Sequence, residues 1–323
     1  MSDDSSDEAR QDESLPEAET APLVLDVEFT EEELPSPSKE AEIGQAVPRP
    51  ALDLPDSEPT PDGRARVVTV INQKGGVAKT TTVINVAAHL ATFGNRVLVI
   101  DCDAQGNCAT GMGIDKSRVT AGTRTLLLEP EEAVNARHAT AVENLHLIVG
   151  DRSLVGVEEE LISQLGRERK LSEGLAPLLP HYDIVLIDTP PSLGQVTINA
   201  LVASDAVLIP VQTEYFALEG LALLASTIRE VRRRLNPRLG VDGVVLTMHA
   251  PTLLNAQVAS QLKETFPSLV IDPPVRRNIR IAEAPSHGIP IHVHAPDSAG
   301  GRDYLHLATS LAERWELANG VDE

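Results

Sequence analysis

Cysteine is scarce in this chain of 323 residues, which contains only Cys102 and Cys108. Two cysteines give no disulfide framework, and they suit a reducing cytoplasm. Long hydrophobic runs are missing as well, since no apolar stretch is long enough to span a bilayer. No positively charged start is followed by an apolar run, so we expect neither a secretion signal nor a membrane span.

Basic residues are few in the first 63 residues. That segment holds 19 Asp and Glu against only Arg10, Lys39 and Arg49, a net of −16 out of −21 for the whole chain, so the rest carries only −5. This segment also contains proline-rich runs such as "LPSPSKE" and has few large apolar side chains to bury. We predict a disordered acidic tail over 1–63 and a folded domain over 64–323. The apolar piece "APLVLDVEF", Ala21–Phe29, is either a docking motif or solvated linker.

Short, continuously hydrophobic runs alternate with helix-length segments after residue 64, without an internal repeat. Such runs are typical of strands covered on both faces, as in a parallel sheet. The alternation predicts a doubly wound α/β domain with its ligand at the carboxyl ends of the strands. The predicted strands are 67–72, 96–101, 145–150, 183–188, 205–211 and 241–248.

The segment "VVTVINQKGGVAKTT" joins the first strand to the first predicted helix. A phosphate-binding loop needs glycines where the backbone approaches the ligand, a lysine for the β- and γ-phosphates and a hydroxyl for magnesium. Lys79 and Thr80 match the last two requirements, at a helix amino end that favours anions. Lys74 is left without a role by this motif.

Acidic residues end two of the predicted strands. Asp188 closes "DIVLID", where a nucleotide-hydrolysing fold holds magnesium through a carboxylate, often by way of water. Asp101 and Asp103 close "VLVIDCD" beside the phosphate loop. Asp101 is either part of the site or a helix cap. Asp103 is better placed to orient a water.

Five motifs in order, "KGGVAKTT", "DCDAQGN", "IDTPPSLG", "PVQTEYFALEG" and "RNIRIAEAPSHG", resemble the ParA/Soj chromosome and plasmid partition ATPases of the deviant Walker A group of P-loop NTPases. The resemblance runs from about Arg66 to Leu317. It implies ATP and Mg²⁺ as cofactors, a weak ATPase stimulated by its partner and by DNA, and an ATP-dependent homodimer. The implied partners are non-specific double-stranded DNA and a ParB-type protein, with a cytoplasmic, nucleoid-associated location and no membrane.

The resemblance also implies a role for each residue of the loop. Lys74 becomes the signature lysine, which reaches the phosphates of the partner subunit's ATP, while Lys79 acts within its own subunit. Thr80 ligates magnesium and Asp188 reaches it through water, whereas Asp103 supports the hydrolytic water. The implied ATP-binding residues are Lys74, Gly75, Gly76, Val77, Ala78, Lys79, Thr80 and Thr81, in which the glycines permit close approach and Thr81 contacts the α-phosphate.

Arginines provide two candidate DNA contacts. The resemblance implies such a role for Arg276, Arg277 and Arg280, with the cluster Arg232, Arg233 and Arg234 as support; a solvated charged face is the alternative for that cluster. Family members often carry an arginine in a segment resembling "YDGRTLL". Here that segment reads "MHAPTLLNAQV", with Pro251 where the arginine would fall.

Three further features have simpler interpretations. His181, His287, His292 and His294 lack a convincing metal-ligand spacing and are expected in loops or on the surface. Cys102 and Cys108 are expected to be small core and loop residues. A membrane-associated ATPase of the MinD type is the alternative function, but such proteins end in a basic amphipathic helix, whereas this chain ends in the acidic "LAERWELANGVDE".

Overall fold

Eight strands form one sheet in the computed structural model, which describes residues 54–58, 60, 64–214 and 216–320. The spatial order is β3-β4-β2-β5-β1-β6-β7-β8, and β3 is antiparallel to its neighbour while the other pairs are parallel. The strands are β1 Arg66–Val70, β2 Val97–Asp101, β3 Arg137–Ala139, β4 Leu145–Ile148, β5 Ile184–Asp188, β6 Ala206–Gln212, β7 Gly240–Thr247 and β8 Val270–Ile271.

The predicted doubly wound α/β fold is confirmed, and all six predicted runs are strands. The sequence did not predict β3 and β8, which have three and two residues, because so short a segment shows no hydrophobic pattern. The helices are α1 Lys79–Thr92, α2 Asn107–Gly111, α3 Thr123–Leu128, α4 Val157–Ile162, α5 Lys170–Leu175, α6 Gln195–Ala203, α7 Ala217–Arg234, α8 Leu253–Thr265, α9 Ile279–Glu283, α10 Ile291–His294 and α11 Ala299–Arg314.

Alternate strand residues enter different hydrophobic cores on the two faces of the sheet. In β2, Val97 and Val99 pack in the core that contains residues of α1 and α11, whereas Leu98 and Ile100 pack in the core that contains residues of α3 and α5. Side chains of a strand point alternately to opposite faces, so a strand covered on both sides must be apolar throughout. No helix in the described part of the chain is long and apolar enough to cross a membrane.

A short segment before β1 packs against the sheet. We call residues 54–58 and Thr60 the strap. Leu54 is buried in the same core as Val241. The carbonyl of Pro55 accepts a 2.8 Å hydrogen bond from the N–H of Val241. The strap therefore covers the first half of the outer edge of β7, whose second half pairs with β8.

The buried carboxylate of Asp242 ties the strap to the rest of the domain. It accepts hydrogen bonds from the Ser57 hydroxyl, from Arg66 at 2.7 Å and from the indole N–H of Trp315 at 2.6 Å. The described residues belong to one compact unit, Pro48–Glu323. The predicted disorder of residues 1–63 falls mostly outside the described residues, and the domain boundary after residue 63 stays a prediction.

Candidate functional site

The phosphate loop joins β1 to α1 at the carboxyl edge of the sheet. Gly76 and Ala78 have positive φ values, 77° and 67°, and α1 begins at the next residue, Lys79. An added side chain would be strained at Gly76 because L-residues rarely adopt this conformation. The loop therefore turns sharply into α1 and lies at the amino end of this helix, where the sequence predicts an anion site.

Neighbouring strands hold the loop in place. The Asn72 amide donates to the carbonyl of Pro210 in β6 at 2.8 Å, and its oxygen accepts from the N–H of Lys74 at 2.9 Å. The hydroxyl of Thr247, the last residue of β7, donates to the carbonyl of Val77 at 3.1 Å. The loop is thus fixed before a ligand arrives, which reduces the ordering cost of binding.

The two lysines of the loop have different surroundings. Lys79 is buried, and its ammonium donates to the carbonyl of Lys74 at 3.3 Å. Burial lowers the pKa of Lys79, while the charges of Asp188 and Asp103 raise it. Lys74 instead has a side chain that is 53% exposed and forms an ion pair with Glu214. The structure therefore directs Lys79 into its own loop and Lys74 away from it.

Thr80 and Asp188 meet beneath the loop. The Thr80 hydroxyl donates to Asp188 Oδ2 at 2.6 Å. The other oxygen, Oδ1, is buried without a hydrogen-bond partner among the described residues. Burial raises the pKa of Asp188 to about 6, against the opposing effects of the Thr80 hydrogen bond and the Lys79 charge. A hydroxyl beside an unsatisfied buried carboxylate oxygen fits a divalent cation with oxygen ligands such as Mg²⁺.

Asp101 and Asp103 differ although they lie two residues apart. Asp101 is fully buried, and its carboxylate accepts from the N–H groups of Asp103 and Cys108, both at 3.0 Å. It therefore fixes the turn into α2, in agreement with the capping alternative. Asp103 is partly exposed and borders an open cavity of about 370 Å³. That position leaves its carboxylate accessible to a water molecule.

Not all of the predicted DNA-contacting arginines are free. The guanidinium of Arg276 forms a double hydrogen bond with the buried carboxylate of Asp303, at 2.6 and 3.0 Å. Arg280 pairs with Glu283 at 2.8 Å, but both side chains are exposed. Arg277 is exposed. It follows Arg276, whose backbone forms an isolated β-bridge with His249 just after the carboxyl end of β7.

The second arginine cluster lies at the other end of the same strand. Arg232 donates to the carbonyl of Leu239, immediately before β7, and to that of Asp56 in the strap. Arg233 and Arg234 pair with Glu230. Because β7 has eight residues, it separates the two clusters by roughly 26 Å. The structure therefore does not bring the two predicted groups of arginines together.

Several residues occupy positions that the sequence did not predict. His287 and His294 stack with ring centroids 4.8 Å apart, and His89 lies 5.3 Å from His292. Cys102 and Cys108 are both buried, as expected for core residues. However, the Cys108 thiol lies 3.6 Å from Asp188 Oδ2, a contact between residues 80 positions apart that no local pattern reveals. Pro251 lies in the exposed turn before α8.

Comparison with known proteins assigns the family. An AAA domain model matches residues 65–241. The sporulation initiation inhibitor protein Soj of Bacillus subtilis is 46% identical over 248 residues, which cover 76% of this chain and 98% of Soj. The chromosome partitioning protein ParA of Myxococcus xanthus is 42% identical over 250 residues, 77% of this chain and 88% of that protein. The chain belongs to the ParA/Soj family of partitioning ATPases.

Solved structures share the fold of this chain. Cobyrinic acid a,c-diamide synthase of Mycobacterium smegmatis, with a bound ATP analogue and magnesium, has a TM-score of 0.68 and 33% identity, covering 78% of this chain and 96% of that one. The septum site-determining protein MinD of Pyrococcus horikoshii, complexed with Mg-ADP, has a TM-score of 0.63 and 22% identity, covering 76% of this chain and 96% of that one. At this identity the likeness shows the shared fold alone. The predicted cofactors, ATP and Mg²⁺, agree with the ATP analogue and magnesium bound in the synthase structure.

Proposed function

We propose that this ParA/Soj-family protein is an ATP-dependent switch that dimerises, binds DNA without reading its sequence and drives chromosome or plasmid segregation with a ParB-type partner. The observation that carries the proposal is the division between the two loop lysines. Lys79 is buried beside its own loop, whereas Lys74 is exposed and directed outward. An exposed lysine beside a phosphate site can reach the phosphates of a second subunit.

The ATP site follows from the loop, from Thr80 and from Asp188. Backbone N–H groups of the loop and the Lys79 ammonium would hold the phosphates, and the Thr80 hydroxyl with Asp188 would hold Mg²⁺. The ion supplies positive charge to the phosphate oxygens. Asp103, which is partly exposed and lies two residues after β2, would orient the attacking water. We infer slow hydrolysis that the partner and DNA accelerate.

Dimerisation requires Lys74 to leave Glu214. Both side chains are about half exposed, at 53% and 47%, so water and salt screen this pair and it holds Lys74 only weakly. Two triphosphates that face each other across an interface need positive charge that a single subunit does not supply. ATP therefore favours the dimer in this proposal, and the Lys74–Glu214 pair belongs to the monomer.

DNA binding is assigned to Arg277 and Arg280. They lie at the carboxyl edge of the sheet, the edge that also carries the phosphate loop, so dimerisation can change their arrangement. Contacts to phosphates carry no sequence information, which suits a protein that moves over the nucleoid. Arg276 and Arg232 contribute less, since Asp303 and main-chain carbonyls already occupy their guanidinium groups.

The membrane-associated alternative finds less support in the last described helix. The apolar residues Leu307 and Leu311 of α11 are buried in the domain core, and Trp315 donates to Asp242. A helix that binds lipid needs an exposed apolar face with basic neighbours. Leu305 is an exposed exception on α11, at 40%. A vesicle co-sedimentation assay with anionic lipid and ATP would separate the two functions.

Two lysine variants test the proposal. Lys79→Ala should abolish productive ATP binding, because the buried ammonium contacts the loop itself. Lys74→Ala should bind ATP as a monomer nearly as well as the wild type but should lose ATP-dependent dimerisation. Nucleotide binding is measured with a fluorescent ATP analogue, and dimerisation by sedimentation velocity with Mg²⁺ and a non-hydrolysed analogue.

Lys263→Ala provides the matched control for loss of an exposed, paired lysine. Lys263 is 44% exposed and pairs with Asp272, at the other side of β7 from the loop. This variant should dimerise like the wild type. If the Lys74 variant also dimerised normally, the assignment of Lys74 to the partner's phosphates would be wrong.

A further inference from the structure

Three buried side chains meet beneath the phosphate loop. One ligand atom from each of Asp101, Cys108 and Asp188 lies within 4.8 Å of the other two. The Cys108 sulfur is 3.6 Å from Asp188 Oδ2. All three residues are fully buried. The role proposed above uses Asp188 for magnesium and gives the thiol only a hydrogen bond to Asp188 Oδ2.

The sheet and a tight turn bring these residues together. Asp101 ends β2 and Asp188 ends β5, and the two residues are paired across the neighbouring strands. Gly106, with φ 63°, turns the chain into α2, so that the N–H of Cys108 donates to Asp101. An added Cβ at Gly106 would lie 2.3 Å from the carbonyl of Gly150, so the turn requires glycine. The cluster is therefore rigid and preformed.

The cluster brings three buried acidic groups together and leaves one of their oxygens unsatisfied. Burial raises the pKa of both carboxyl groups, and the Asp188 charge raises that of Asp101 further. Asp188 Oδ1 has no hydrogen-bond partner among the described residues. An unsatisfied buried carboxylate oxygen is costly. The other oxygen, Oδ2, accepts from the Thr80 hydroxyl and from the Cys108 thiol, so a cation that binds this carboxylate compensates the charge of a buried group that is only partly hydrogen-bonded.

We propose that Asp101, Cys108 and Asp188 form a site for a thiophilic divalent cation, Zn²⁺, in the nucleotide-free protein. Bond lengths of about 2.3 Å to sulfur and 2.1 Å to oxygen place the S and O ligands of a tetrahedral zinc ion about 3.6 Å apart. The observed distance between Cys108 Sγ and Asp188 Oδ2 is 3.6 Å. Three protein ligands leave the fourth position for water.

The binding step balances as a proton exchange. The S–H bond of Cys108 breaks, the sulfur binds Zn²⁺, and its proton passes to solvent buffer together with the protons of those carboxyl groups that burial keeps protonated. Nothing is oxidised or reduced. The two carboxylates and the thiolate carry three negative charges, of which the ion neutralises two, and the Lys79 ammonium lies nearby. A thiolate ligand favours Zn²⁺ over Mg²⁺, which prefers oxygen ligands.

Occupation of this site would oppose the ATP-bound state. This consequence rests on the proposed function, since Asp188 would serve both the zinc ion and the magnesium ion that accompanies ATP. Zn²⁺ should therefore compete with Mg²⁺-ATP and reduce ATP-dependent dimerisation. The competing explanation is that the unsatisfied oxygen of Asp188 serves Mg²⁺ alone. That explanation gives Cys108 no part in metal binding, so the thiol is the discriminating ligand.

Cobalt spectroscopy tests the proposal directly. Co²⁺ replaces Zn²⁺ in thiolate sites and gives a near-ultraviolet sulfur-to-cobalt charge-transfer absorption. The full-length, reduced protein is titrated with Co²⁺ without nucleotide or Mg²⁺, and Zn²⁺ is then added to displace the cobalt. We expect the band in the wild type and its loss on addition of Zn²⁺. Imidazole ligation at the stacked pair His287 and His294 would not produce this band.

Matched cysteine variants identify the ligand. Cys102→Ser removes the neighbouring buried thiol and should keep the band, whereas Cys108→Ser should lose it. The Cys108→Ser variant should also bind Zn²⁺ at least roughly tenfold more weakly, because mutation of a residue that merely hydrogen-bonds to a metal ligand already has an effect of that size. Circular dichroism confirms that each variant is folded, and Asp101→Asn offers a second variant that should weaken Zn²⁺ binding. A wild type without the band, or a folded Cys108→Ser variant with unchanged Zn²⁺ affinity, would refute the site. ATP binding is measured separately, so failure of the zinc site and failure of the ATPase assignment are distinguishable.

Discussion

The attachment of the strap to the domain can be measured by shortening one side chain, Leu54→Ala. Leu54 is 8% exposed and packs in the same core as Val241 and Leu239. Truncation of a buried leucine to alanine typically costs about 2–5 kcal/mol. The strap lies at the margin of the core and can partly collapse onto the cavity, so we expect about 2–3 kcal/mol, near the lower limit.

This free energy should appear as a lower melting temperature. A domain of this size loses about 2–4 °C for each kcal/mol, so the Leu54→Ala variant should melt about 4–12 °C below the wild type. Scanning calorimetry at neutral pH without nucleotide measures the shift. The substitution leaves the length of the chain unchanged, so the entropy of ordering the strap backbone is nearly the same in both proteins.

Leu165→Ala is the matched control, because Leu165 is 97% exposed. The same change at an exposed position should alter the free energy of unfolding by less than about 0.5 kcal/mol. Equal melting temperatures for the two variants would show that Leu54 does not belong to the core. The strap would then be part of the predicted tail, and the domain would begin after it.

Two further predictions concern charge. Arg277→Glu and Arg280→Glu should each abolish ATP-dependent DNA binding in gel shifts while preserving dimerisation. Arg233→Glu, at the opposite edge of the sheet, should still bind DNA with ATP. If Arg233→Glu lost DNA binding and the other two variants kept it, the DNA-binding face would lie at the opposite edge. Burial and then the charge of His292 lower the pKa of His89 to about 4, below its ordinary value of about 6.5. As the pH falls, the unfolded state therefore binds the proton before the folded state does. The stability contributed by neutral His89 is present above about pH 6.5 and is lost as the pH falls to about 4. The loss in the free energy of unfolding over this range is about 3 kcal/mol. Urea unfolding of wild type and His89→Gln over this range should show a weaker pH dependence in the variant, and identical curves would contradict the assignment.

Local patterns in the sequence determined the strands, the phosphate loop and the position of the site. Continuous apolar runs identify buried strands because both faces of a parallel strand are covered, and the six predicted runs are β1, β2, β4, β5, β6 and β7. The candidate phosphate loop from Lys74 to Thr81 could also be predicted from the sequence, because its glycines, lysines and threonines lie close together in the chain. Neighbouring parallel strands end at one edge, so Asp101 and Asp188 were expected near that loop.

Only the tertiary structure decided which charges are free and which distant residues meet. Arg276 and Arg277 are adjacent in sequence, yet Asp303 neutralises the first from a helix 27 residues away. Cys108 reaches Asp188 across 80 residues, and Leu54 packs on a strand that begins almost two hundred residues later. Such contacts depend on the order of strands in the sheet and on the path of each connection. Composition and spacing describe residues that are close together in the chain. Folding of the chain into a buried core brings residues that are far apart in the chain into contact, and local patterns do not specify which ones.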